Sequence, residues 1–132
     1  MKKIGLLLVT IGILFSCDSD DDSNSNSELI GKWKLIEILA DPGGGSGTFT
    51  AVDSDKIITF ENNEIITSNG RLCDMSIQSG NPTSGNYSIS DMTFNSSDCA
   101  NPDYDYTFEQ NGNMLIIDYP CFEPCKAKYQ KQ

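Results

Sequence analysis

Tyr104-Asp105-Tyr106-Thr107-Phe108-Glu109-Gln110-Asn111-Gly112-Asn113-Met114-Leu115-Ile116-Ile117-Asp118-Tyr119 is written as a β-hairpin. Its first half alternates Tyr104, Tyr106 and Phe108 with Asp105, Thr107 and Glu109, and a period of two puts the aromatics on the inner face of a strand. The turn Gln110-Asn-Gly-Asn113 contains Asn111-Gly112, the strongest hairpin signal in the chain. Met114 to Ile117 is apolar throughout, as in a strand covered on both sides or one whose outer face meets another element.

Working outward, Cys125, Ala127 and Tyr129 alternate with Lys126, Lys128 and Gln130, which predicts a last strand. Upstream, Ile30 to Ala40 reads as a first strand leading into the loop Asp41-Pro-Gly-Gly-Gly-Ser-Gly47, which cannot hold strand or helix. Thr48 to Val52 reads as a short extension, and Lys56 to Glu61 turns at Asn62-Asn63 into Glu64 to Ser68. Ser79-Gly-Asn-Pro-Thr-Ser-Gly85 reads as turn, and Asn86 to Ile89 with Met92 to Asn95 as a further hairpin around Ser90-Asp91. No segment has a helical period. About eight short strands in an open sheet would leave exposed edges, and closure into a barrel removes them. The expected fold is therefore all-β, a small up-and-down antiparallel barrel, with a two-sheet sandwich as the alternative.

The N-terminus reads differently. Met1-Lys2-Lys3 is basic, Ile4 to Phe15 is apolar, and Ser16 is a small residue before Cys17. Leu14-Phe15-Ser16-Cys17 resembles the lipobox of bacterial lipoproteins, departing from it at Phe15. The apolar run is well short of the ~20 residues that cross a bilayer, so the expected anchor is a lipid on Cys17. Asp18 to Ser27 contains only Asp, Ser and Asn, a tether with nothing to bury. Its acidity resembles export signals of some Gram-negative lipoproteins, and an outer-membrane location is expected on that resemblance. Asp18, Asp20 and Asp22 alternate like the first ligands of a calcium loop. Ser23 stands where the glycine belongs and Leu29 where the glutamate belongs, so no calcium site is expected. The organisation is thus residues 1–16 as signal peptide, 17–28 as tether and 29–132 as one barrel domain.

The formal charge is −10, and removal of Lys2 and Lys3 with the leader leaves seven cationic residues against nineteen acidic ones, or −12. Nucleic acid and anionic lipid surfaces are poor partners for such a chain. With no histidine, activation of a serine or cysteine nucleophile by imidazole is excluded. Asp103, Asp105 and Glu109 lie opposite the aromatic face and point to solvent, and Gly43-Gly44-Gly45 is not followed by a lysine or a helix. No catalytic residue, cofactor or metal is expected.

Cys73, Cys99, Cys121 and Cys125 are an even set in an exported domain, where disulfides persist. Three connectivities are open. Cys121 with Cys125 and Cys73 with Cys99 is favoured, because Pro120 and Pro124 frame a loop that brings the first pair to bonding distance. A four-thiolate zinc site lacks the paired close spacings of zinc ribbons.

Gly31-Lys32-Trp33, opening the first strand after the tether, resembles the Gly-x-Trp signature of lipocalins and of short bacterial lipocalin-like domains. The hairpin count, Ser84-Gly85-Asn86-Tyr87-Ser88-Ile89 and a terminal Cys-x-x-x-Cys strand extend the resemblance over roughly residues 29–129. It implies structural roles for Gly31 and Trp33, the tryptophan packing across the closed end of a barrel. The chain departs from lipocalins in having no room for their C-terminal helix, and its sole arginine, Arg71, is not on a late strand.

Two functions of different class follow. In the first, the barrel holds a small apolar or amphiphilic molecule, with Tyr87, Ile89, Tyr104, Tyr106, Phe108, Ile116 and Tyr129 as candidate wall. The same side chains are numerous enough to fill an eight-stranded barrel. In the second, a filled barrel presents its Gly-rich loop and the Cys73 to Asn81 region to an envelope protein.

Overall fold

The computed structural model describes residues 28–132; Cys17, the signal peptide and nearly all of the tether lie outside them. Nine strands run in chain order: β1 (Gly31–Ala40), β2 (Thr50–Ala51), β3 (Ile57–Phe60), β4 (Ile65–Gly70), β5 (Ser79–Ser88), β6 (Thr93–Asn95), β7 (Tyr106–Asn111), β8 (Met114–Tyr119) and β9 (Cys125–Lys131). Each neighbour from β3 to β9 pairs antiparallel with the next, β1 pairs with β3, and β1 also pairs with β9. That last ladder closes an eight-stranded barrel, with β2 as a two-residue flank on β1. Among the described residues no helix is long and apolar enough to cross a membrane.

β1 closes the barrel because it serves two edges. One edge meets β9 from Trp33 opposite Lys131 to Ala40 opposite Cys125. The other meets β3 from Gly31 to Lys34 and then β2 at Glu37 and Ile38. The change of partner coincides with a bulge between Leu35 and Glu37, which bends the strand.

The hairpin that opened the sequence reading forms, shifted by one position at its turn. Asn111 pairs with Met114, so the central residues are Gly112 and Asn113 rather than Asn111 and Gly112. Gly112 has φ +59°, suited to the first central position of a II′ turn, which glycine occupies without steric cost.

Ser79 to Gly85, expected as turn, is instead the first part of β5. Its residues are turn-like and largely exposed, but their backbone pairs with β4, and tertiary pairing overrides weak strand propensity. Pro82 sits where the register slips, between Ser68 opposite Thr83 and Gly70 opposite Ser79, so its missing N–H breaks no ladder bond. Farther along β5, a Cβ on Gly85 would collide with the Asn95 carbonyl, so only glycine permits β6 to approach this closely.

The barrel is filled. Trp33, Leu35, Ile58, Phe60, Ile66, Leu115, Ile117 and Tyr129 are fully buried, and Phe60 packs against Phe108 and Tyr87 at ring separations of 5.3 and 5.0 Å. The hairpins 61–64, 89–92 and 112–113 lie at the end where β1 begins. Loops 41–56, 71–78, 96–105 and 120–124 lie at the other end, the mouth.

Candidate functional site

At the closed end, Trp33 donates its indole N–H to the Leu29 carbonyl at 2.8 Å, while the Lys131 ammonium stands 5.5 Å from the ring centre and also donates to the Glu28 carbonyl. Gly31 has φ +128°, a conformation that L side chains rarely adopt, and leads directly into this contact. These residues seal one end.

The mouth is covered by loop 71–78. Leu72 is buried, and Cys73, Met75 and Ile77 pack against the core. Three side-chain bonds hold its backbone: Lys56 Nζ donates to the carbonyls of Asp74 (3.2 Å) and Ser76 (2.9 Å), and Ser54 Oγ donates to that of Ile77 (2.5 Å). A disulfide from Cys73 to Cys99 ties it to loop 96–105, with the Cα atoms 5.5 Å apart. A second joins Cys121 to Cys125, so these two bridges consume the four cysteines of the barrel domain, the set a zinc site would have needed. The first half of the Cys73 to Asn81 region is thus a plug folded onto the core, whereas Gln78 to Asn81 are exposed.

Lys56 is completely buried. Period two turns it inward with Ile58 and Phe60, and a lysine at the head of a strand gives no sequence sign of that fate. Burial pushes its pKa down from 10.5 to about 8, opposed by the Asp74 charge and aided by that of Arg71. Burial also raises the pKa of Tyr119 and of Tyr129. Between about pH 8 and pH 10 the unfolded chain holds a proton on Lys56 that the folded chain has released, so stability rises with pH. Above about pH 10 the unfolded chain loses phenolic protons that the folded chain retains, so stability falls. Urea unfolding across this range should show a maximum near pH 10 and a preceding gain of at most about 3 kcal/mol. Lys56→Met should remove the gain and leave the fall.

Beside the plug is a cleft of about 360 Å³, lined by Arg71, Asp98, Ala100, Asn101, Tyr104, Tyr106, Pro120 and the Cys73–Cys99 bridge. Tyr104 is 38 % exposed and meets Tyr106 edge-on at 4.8 Å; Tyr106, stacked on Phe94 at 5.0 Å, forms the floor. Arg71 Nε pairs with Asp74 at 2.9 Å on the rim. The combination is an apolar concavity with a few polar groups at its edge, the usual make-up of a small-molecule site.

Comparison with known families decides the wider identity. The profile of a family described as lipocalin-like domain matches residues 29–117.

The chain belongs to the lipocalin-like domain family.

The match ends inside β8, whereas closure of this lipocalin-like barrel also needs β9. No curated protein and no solved structure matches the chain.

The candidate wall residues of the lipocalin-like domain are divided among several places. Tyr104 and Tyr106 share the mouth cleft, although Tyr104 precedes β7 and is exposed rather than inward. Tyr129 is buried in the barrel interior, on β9 between Leu35 and Leu115. Phe108 is core, and Tyr87 and Ile89 belong to the closed end, where the Tyr87 hydroxyl donates to the Glu61 carbonyl at 2.5 Å. Ile116 is a correction. It is half-buried on the outside, beside Met114 and Glu109, while Leu115, Ile117 and Tyr119 face inward. An unbroken apolar run hides the parity that alternation reveals elsewhere. Nothing in the sequence marks Lys56, Arg71, Pro120 and Tyr119 as mouth residues, because loops distant in sequence assemble the mouth.

Proposed function

We propose that this lipocalin-like domain takes a small apolar or amphiphilic molecule at its mouth, and that the protein is a non-enzymatic lipoprotein held in the outer membrane by acyl chains on Cys17. The carrying observation is the cleft over Tyr106, since the lower barrel is occupied by its own side chains. The lipobox resemblance and the polar tether support the anchor.

Native mass spectrometry on protein taken gently from its envelope tests both. Acyl mass on Cys17, absent from Cys17→Ala, is expected, with a further mass that departs on denaturation. Tyr104→Ala should cut occupancy about tenfold, the loss of roughly one aromatic contact, without unfolding the barrel. Equal occupancy in the variant would remove the cleft from consideration.

One observation favours a protein partner as a second reading. Phe122 is fully exposed at the tip of the loop closed by Cys121–Cys125 and framed by Pro120 and Pro124. An exposed aromatic on a loop whose backbone is restrained by a bridge binds at lower entropic cost than one on a free loop. Cross-linking in intact envelopes should yield an adduct that Phe122→Ser loses; an adduct indifferent to that change would reject this surface.

A further inference from the structure

Tyr119 and Tyr129 stand apart from the other inward polar groups described above. Their hydroxyls are buried without a hydrogen-bond partner, whereas Tyr87 and Trp33 each donate to a backbone carbonyl. The two phenols lie in the same part of the barrel interior, each close enough to affect the other's ionisation. Their mutual geometry is nevertheless not that of a hydrogen bond, and such bonds weaken steeply away from ideal geometry. They are two buried phenols without a hydrogen-bond partner, in a molecule that satisfies Tyr87 and Trp33.

Their position gives this meaning. Tyr119 ends β8 at the mouth opposite Cys125, and Tyr129 lies on β9 opposite Leu115. Tyr104, Tyr106 and Tyr119 form a continuous series of rings, 4.8 and 5.9 Å between successive centres, running from the mouth cleft to the hydroxyl pair. Tyr106 lines the cleft and is also the ring that meets Tyr119. A molecule lodged in the cleft and displacing the Tyr106 ring would bring its inner end to the phenols.

We propose that Tyr119 and Tyr129 are the polar end of the ligand site entered through the mouth cleft, and that its ligand is an apolar molecule carrying one uncharged oxygen acceptor, such as a ketone. This rests on the reading of the mouth as a binding site. A phenol donates readily to a carbonyl oxygen. A carboxylate is disfavoured, because burial around both phenols and the negative charge of Asp74 oppose a further negative charge there.

The test uses a matched pair of probes, 2-acetylnaphthalene and 2-ethylnaphthalene, which differ in one carbonyl oxygen. Binding is measured by equilibrium dialysis against the full chain in lipid nanodiscs, with empty nanodiscs as reference. The acetyl probe should bind about tenfold more tightly to the wild type. In Tyr119→Phe/Tyr129→Phe the preference should vanish while affinity for the ethyl probe is unchanged. Both single Phe variants should unfold at the same or a higher urea concentration than the wild type. Equal binding of the two probes to the wild type, or a preference that survives in the double variant, overturns the polar subsite and leaves the cleft standing. A lowered urea midpoint in either single variant shows that the hydroxyl is already satisfied, by the other phenol or by ordered water, and overturns the subsite as well. Binding of neither probe above the empty-disc level overturns the mouth site itself.

Discussion

Trp33→Ala should lower the stability of the barrel by about 4 kcal/mol, within the range for truncating a buried tryptophan. The residue is 0 % exposed and sits where β1 meets both β3 and β9, so the surrounding strands cannot collapse into the space without giving up ladder bonds. Its loss also strands the Leu29 carbonyl and removes the ring beneath the Lys131 ammonium. Trp33→Phe separates these effects. It keeps much of the apolar volume and loses the indole N–H, so it should cost about 1–2 kcal/mol, the scale of one buried hydrogen bond with some lost packing. Urea midpoints with an unchanged denaturant slope would measure both. A loss below about 1 kcal/mol for the alanine variant would mean that this end is not closed by the tryptophan.

Cys73→Ser/Cys99→Ser should cost about 3.5 kcal/mol and Cys121→Ser/Cys125→Ser about 2 kcal/mol, on a chain-entropy estimate. The difference comes from the sequence separations of 26 and 4 residues, since the longer loop restricts the unfolded chain more. Structure reinforces the ranking. The Cys73–Cys99 bridge holds the plug, whose other ties are Leu72 and the bonds from Ser54 and Lys56. Hydrogen exchange should therefore quicken across residues 71–78 in the first double variant and remain slow there in the second. Thermal unfolding of the two variants in parallel checks the order; a costlier loss of the short loop would contradict it.

Much of the architecture was legible from the amino acids alone. Alternation along Tyr106–Phe108 and Cys125–Tyr129 revealed inward faces, and Gly112 marked a tight turn. These are local signals, carried by residues within a few positions of one another. Even so, Ser79 to Gly85 misled. Its composition favours a turn, and only pairing with β4 makes it strand.

The mouth was far less legible, because its parts come from four loops and the ends of several strands. Nothing near Lys56 announces that its ammonium will be buried under carbonyls 18 and 20 residues away. Nor does Met114 to Ile117 say which of its apolar side chains faces out. The sequence by itself determined an all-β chain, its principal hairpins and a tryptophan at the start of the first strand, since periodicity and turn chemistry act over a few residues. Tertiary structure alone decided which loop plugs the barrel, which tyrosines line its mouth and which hydroxyls are left without partners. Those outcomes depend on burial and approach between residues distant in the chain, which only closure of β1 on β9 brings about.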